Sequence, residues 1–158
     1  MHLTREADYA LRIMYTLAVN NKLTDAQTIS DSIAVTRRFT LKILSKLTEA
    51  GLASSKLGAG GGYYLAKPAD EISIAEVIEA IEGPFAISTC LAQGYTCERV
   101  DDCGNCIFHC IFDVMNEDMR KTLAAVSIGD AAALSPLDMQ KRIRLLSEKK
   151  STDLNENG

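Results

Sequence analysis

The chain has 158 residues, 47% of them hydrophobic, enough for one ordinary domain with a core or a small domain with an appendage. No apolar run approaches a membrane span, and the opening "MHLTREADYA" has neither a basic nor an apolar leader region, so a cytoplasmic protein with no membrane partner is expected. The net charge of −4 argues against nucleic acid only until its distribution is read. Arg37, Arg38, Lys42, Lys46, Lys56 and Lys67 face Glu49 alone across residues 35–67, whereas residues 68–119 carry eleven acids against Arg99. A basic footprint confined to one stretch suits an anionic partner, although such a stretch can also merely solvate a helix face.

In chain order, Leu3, Ala7, Leu11, Met14 and Ala18 recur at helical spacing, with Thr4 as N-cap and Glu6 in the first turn. "TDAQTISDSIA" predicts a short helix capped by Thr24. After a turn at Ala34 and Val35, "TRRFTLKILSKLTEAG" predicts a second helix stopped by Gly51. Two helices across a tight turn, the second basic on its polar face, form a helix-turn-helix pattern. Strand-like runs at 52–56 and 63–66 flank the tip "GAGGG" and add a wing. No Lys-Ser/Thr pair and no helix start follow that tip, which argues against a nucleotide loop; its glycines supply positive φ and close backbone approach. "SIAEVIEAIEG" predicts a helix from Ser73 to Gly83-Pro84.

All five cysteines then fall in "CLAQGYTCERVDDCGNCIFHC", spaced C-x6-C-x5-C-x2-C-x3-C. A reducing compartment and an odd count argue against a closed disulfide set. Zinc commonly takes two close ligand pairs, and "CGNC" supplies one. Glu98, Asp101 and Asp102 would raise thiol pKa values and so disfavour a bare thiol sensor. The wide gaps suit a loop around a larger inorganic core. From about Cys106 one long helix is predicted through "IFHCIFDVMNEDMRKTLAAVSIGDAA", with a stripe from Ile107 through Ile111, Met115 and Met119 to Val126. So wide a stripe asks for a partner helix, and a homodimer is the expected solution. A last helix over 137–149 precedes "STDLNENG", read as a disordered tail. His2 and His109 are the only histidines and no Ser/His/Asp set is suggested, so no enzyme is expected.

The succession "LTREADYALRIMYTLA", "LTEAGL…GAGGGYYLAKP", "ISIAEVIEAIEG" and spaced cysteines before a long helix resembles the Rrf-two family of bacterial regulators, including its IscR and NsrR types, over about the first 130 residues. The resemblance implies a mainly α winged helix-turn-helix with a small β-hairpin wing and a long dimerisation helix. It implies a homodimeric transcription factor, a repressor by expectation, binding a double-stranded DNA operator under control of an iron–sulfur cluster. Cys90, Cys97 and Cys103 stand at the family's three loop cysteines. IscR-type members place a histidine three residues later, where Cys106 stands; NsrR-type members use an aspartate on the first helix of the other subunit, matched by Asp8. Cys106 and Asp8 therefore both stand as fourth-ligand candidates, and the Asp8 match favours [4Fe–4S] over [2Fe–2S]. Asp8 also reads as an ordinary first-turn acid, Cys110 as a buried thiol, and His109 as structural or exposed.

Expected boundaries are a DNA-binding domain at 1–83, a cluster loop at 84–106, dimerisation and C-terminal helices at 107–150 and the tail at 151–158. Arg37 and Arg38 are expected at base edges, Lys42 and Lys46 at phosphates, and Thr36 and Thr40 at either, with Lys56, Gly60, Gly61 and Gly62 on the wing. Leu57, Gly60 and Tyr64 stand where the family commonly has Arg or Lys, which predicts modest affinity. The alternatives are a cluster-free winged-helix regulator sensing through a thiol or protein partner, and an iron–sulfur electron carrier.

Overall fold

The computed structural model describes residues 3–100 and 102–155, with side chains from residue 149 onward outside that description. Helix α1 (Arg5–Asn20) starts where Thr4 Oγ1 accepts from Ala7 N at 3.2 Å. Helix α2 (Ala26–Ser32) is capped by Asp25 rather than Thr24, its Oδ1 accepting from the N–H groups of Gln27 at 2.9 Å and Thr28 at 3.0 Å. A carboxylate suits the positive end of a helix, and this frees Thr24 for another task. Thr24 pairs with Tyr63 through two backbone hydrogen bonds of 2.9 and 2.8 Å, stitching the chain before α2 onto the hairpin.

Helix α3 (Arg37–Glu49) follows a tight turn in which Ala34 adopts φ 54°. Its end is a Schellman motif. Gly51 takes φ 70° and donates to Thr48 O at 3.0 Å, while Leu52 N reaches back to Leu47 O at 2.9 Å. Strands β1 (Ala53–Lys56) and β2 (Gly62–Leu65) pair antiparallel with Ala53 opposite Leu65 and Lys56 opposite Gly62. Helix α4 (Ile74–Glu82) opens with a reciprocal Ser73–Glu76 capping box and closes at Gly83, φ 84°.

The predicted single helix after Cys106 is two. Helix α5 (Ile107–Ala124) stops, and helix α6 (Ile128–Ala133) restarts behind a Ser127–Asp130 capping box. The interruption has a physical cause. Ile74 N donates to Val126 O at 2.9 Å and Ile128 N to Ile72 O at 2.8 Å, so the chain returns here to the winged-helix body. Val126 and Ile128 are buried there, so Val126 belongs to the core and not to the α5 stripe. Helix α7 (Pro136–Asn155) carries the chain through residues 151–155 of the expected tail, and residues 156–158 lie outside the described residues.

The core is a single cluster in which Ile13, Met14, Leu17, Ile29, Ile43, Leu44, Leu47, Ile72, Val77 and Ile128 interlock. Its members come from α1 to α4, from β1 and the residue before it, from Ile72 ahead of α4, and from α6. Gly62 is fixed by packing, since a Cβ there would lie 2.6 Å from Thr24 O. Gly62→Ala is expected to destabilise the fold by about 1–3 kcal/mol, read as a lowered urea midpoint, because backbone rather than a flexible side chain must move.

Candidate functional site

The exposed start of α3 carries Thr36, Arg37 and Arg38. Thr36 Oγ1 is engaged as the cap, accepting from Phe39 N at 3.4 Å. Arg37 and Arg38 make no ion pair with any described residue, so both guanidinium groups face solvent unspent. Lys56 is likewise exposed on β1. Thr40, expected on the DNA-facing side, is instead fully buried and donates its hydroxyl to Thr36 O at 3.2 Å. It packs the helix and does not reach the surface. Lys42 and Lys46 are both engaged by Glu6, with Oε1 at 3.3 and 2.9 Å.

The wing tip is apolar where it projects, Leu57 being 93% exposed. Gly60 supplies φ 79°, and a Cβ on Gly61 would meet the Lys56 carbonyl. The hairpin's own geometry thus accounts for the glycines, whatever lies over them.

The cysteine segment hangs from the end of α4. Asn116 on α5 clasps its root, with Oδ1 accepting from Ile87 N at 2.9 Å and Nδ2 donating to Phe85 O at 3.2 Å. Two 3₁₀ turns, Thr89–Leu91 and Cys103–Asn105, carry Cys90 and Cys103, and Cys106 caps α5. All five cysteines are free thiols. Burial pushes the Cys103 thiol up, and Cys97, Asp102, Cys90 and Cys106 add to the rise by charge. Cys90, Cys97 and Cys106 thus lie near enough to Cys103 to bear on its charge. Cys97 goes the other way, because the backbone N–H groups of Arg99 and Val100 favour its thiolate. The expected raising of thiol pKa by nearby acids holds for Asp102 on Cys103 and fails at Cys97; Asp101 lies outside the described residues.

Cys110, in the first turn of α5, is exposed rather than buried, and its Sγ donates to Gly104 O at 3.3 Å. His109 turns Nδ1 inward, buried and without a hydrogen-bond partner. Asp8 is a first-turn acid bonded to Arg12 at 2.9 Å, and its carboxylate is half exposed. Among the described residues no three His, Cys, Asp or Glu side chains converge as a single metal ion requires. A tetrahedral zinc site would need such convergence; a polynuclear iron–sulfur core spreads its thiolates over several irons. The donor set, four cysteines in one segment with backbone N–H groups that favour the thiolate form of Cys97, suits the latter chemistry.

Comparison with known proteins decides the family. The sequence profile described as "Rrf2: Iron-dependent Transcriptional regulator" matches residues 3–133. The chain belongs to the Rrf2 family. Among curated relatives, protein aau3 of Rhizobium meliloti (strain 1021) is 36% identical over 127 residues, 79% of this chain and 76% of that protein. The HTH-type transcriptional regulator IscR of Klebsiella pneumoniae (strain 342) is 29% identical over 132 residues, 82% of this chain and 78% of IscR. CymR of B. subtilis, titled its global cysteine regulator, superposes with a TM-score of 0.67 at 23% identity, covering 85% of this chain and 98% of CymR. These findings make the protein an Rrf2-family winged-helix transcriptional regulator. No helix among the described residues is long and apolar enough to cross a membrane.

The sequence gives Glu6 only as a first-turn acid and carries no sign of Asn116. Each acts across more than twenty-five positions, on α3 and on the loop root respectively. Local spacing carries no signal for such contacts.

Proposed function

We propose that the protein is a homodimeric repressor whose grip on operator DNA is set by an iron–sulfur cluster. Cys90, Cys97 and Cys103 are its ligands, with Cys106 or Asp8 of the partner subunit completing the set; the Asp8 match favours a [4Fe–4S] form. Bound there, the cluster supplies sensitivity to nitric oxide, redox state or iron–sulfur status. The observation that carries the reading is the placing of Cys90, Cys97, Cys103 and Cys106 in one segment between α4 and α5, near enough to bear on one another's charge. Arg37 and Arg38 suit guanine edges in the major groove, and Lys56 suits a phosphate. The dimer is supported by α5, which buries none of its residues and leaves Ile107 at 67%, Val114 at 64% and Met115 at 51% exposure. A symmetric copy of the same face is the simplest cover.

Coupling follows from placement. The loop joins α4 to α5, so ordering it around a cluster sets how α5, and with it the partner, sits against the two recognition helices. Operator half-sites demand one spacing of those helices.

A second reading, a cluster-free regulator sensing through a thiol, is favoured by one observation: the backbone N–H groups that stabilise the Cys97 thiolate would activate it equally for oxidation. Anaerobic purification with an absorption spectrum and iron and sulfide counts separates the two. Brown protein with equal iron and sulfide is expected, and the amount per chain distinguishes the cluster types. Colourless protein that resists reconstitution would leave the thiol reading.

A further inference from the structure

Glu6 lies in the first turn of α1 with its carboxylate turned onto α3. Its Oε1 is 2.9 Å from Lys46 Nζ and 3.3 Å from Lys42 Nζ, and Lys42 Nζ also donates to Oε2 at 3.4 Å. One carboxylate thus serves both lysines that the recognition helix carries beyond its first turn. The Lys46 and Lys42 ammonium groups hold the Glu6 carboxyl below its ordinary pKa against the opposing effect of burial, so it is ionised at neutral pH.

The two lysines are not equivalent. Lys46 Nζ also donates to Ile81 O at 3.4 Å, and its side chain is 34% exposed, so α1 and α4 together hold it. Lys42 is 58% exposed, with Nζ only 5.8 Å from the centre of the Phe39 ring. Glu6 is its sole ionic partner among the described residues. Arg37 and Arg38, one turn earlier, have none.

We propose that Glu6 is an internal stand-in for DNA phosphate, masking Lys42 until a duplex takes its place. The inference rests on the reading of α3 as the DNA-contacting helix. With Lys42 58% exposed, its end of the pair is open to solvent and salt, so a polyanionic backbone can compete with a single carboxylate for the same ammonium. Until it yields, the carboxylate cancels one cation and repels the approaching strand. Masking therefore lowers affinity.

The mask is tied to the cysteine segment. Thr4 N and Thr4 Oγ1 both donate to Glu82 Oε1, at 3.0 and 2.8 Å. Glu82 is the last residue of α4, where the cysteine segment begins, and Thr4 is two residues from Glu6. Displacing the root of that segment moves the first turn of α1, and with it the carboxylate over Lys42.

The test is fluorescence anisotropy of a random-sequence DNA duplex titrated with the full-length protein over a range of salt concentrations. Glu6→Gln is expected to bind several-fold tighter, with a log–log salt slope no shallower than that of the unsubstituted protein, since Lys42 meets phosphate in both complexes once the carboxylate is displaced. That gain should vanish in the Glu6→Gln/Lys42→Gln double variant. Binding by Glu6→Gln equal to or weaker than that of the unsubstituted protein overturns the proposal, because Glu6 would then position the lysines or face no phosphate. Arg37→Ala separates the two levels. Its loss of binding beside an unaffected Glu6→Gln rejects the mask and keeps α3 on DNA, whereas no duplex binding by any form rejects both. Should Glu6→Gln melt early, Lys42→Gln alone decides: weaker binding with a shallower slope supports the mask, and an unchanged slope overturns it.

Discussion

Cys103→Ser protein, purified anaerobically, is expected to hold little iron or sulfide while its far-ultraviolet dichroism matches that of the unsubstituted chain. Cys103 is the thiol on which Cys90, Cys97 and Cys106 all bear by charge, and it stands at the third cysteine position of the proposed donor set. A serine hydroxyl keeps the size and loses the soft, ionisable sulfur that iron–sulfur chemistry takes as ligand. The fold should survive because no described residue from Gly83 through Ala125 is buried. Asp102 also holds the local turn independently, its Oδ1 accepting from Gly104 N at 2.9 Å. Cys110→Ser is the matched control and should retain its iron, since that sulfur points to the Gly104 carbonyl. Full iron and sulfide in Cys103→Ser would remove Cys103 from the ligand set. Cys106→Ser beside Asp8→Asn then asks which of the two candidates completes it, the one that loses the metal being the ligand.

The largest loss of stability is expected from Leu47→Ala, about 2–5 kcal/mol, read from the urea midpoint of the cluster-free protein. Leu47 is fully buried in the common core, and its carbonyl accepts the Leu52 N–H that closes the end of α3. Truncation leaves a cavity beneath the helix that carries Arg37 and Arg38. A loss of that size is a large share of the roughly 5–15 kcal/mol that holds an ordinary domain folded. Ile107→Ala offers the contrast: at 67% exposure it should shift monomer stability by no more than about 0.5 kcal/mol. A Leu47→Ala midpoint equal to that of Ile107→Ala would contradict the core assignment.

The winged helix was legible because its signals are local. Thr4, Thr36 and Ser73 cap the helices they announce, and Gly51 and Gly83 take the positive φ that their positions demand. Errors came where two local signals competed. Thr24 and Asp25 are both good caps, and only the backbone pairing of Thr24 with Tyr63 decides between them. The stripe from Ile107 runs on in helical spacing past Ala124, yet the tertiary bonds to Ile72 and Ile74 break it. Thr40 looked polar and available, but a hydroxyl satisfied by the preceding turn can be buried at little cost. At the candidate site the sequence marked cysteines and basic residues as candidates. It gave Glu6 only as a first-turn acid and was silent on Glu82 and Asn116, whose partners, like those of Glu6, are distant in the chain.

The return of the chain at Val126 makes the cysteine segment and α5 an excursion pinned at both ends to one body. Lengthening a flexible stretch between fixed ends is cheap, about 0.6 kcal/mol for each doubling. Residues can therefore be inserted or lost between the cysteines with almost no toll on the packed winged-helix half. The architecture leaves the length of this loop free of the core, and the six residues between Cys90 and Cys97 are one setting of it.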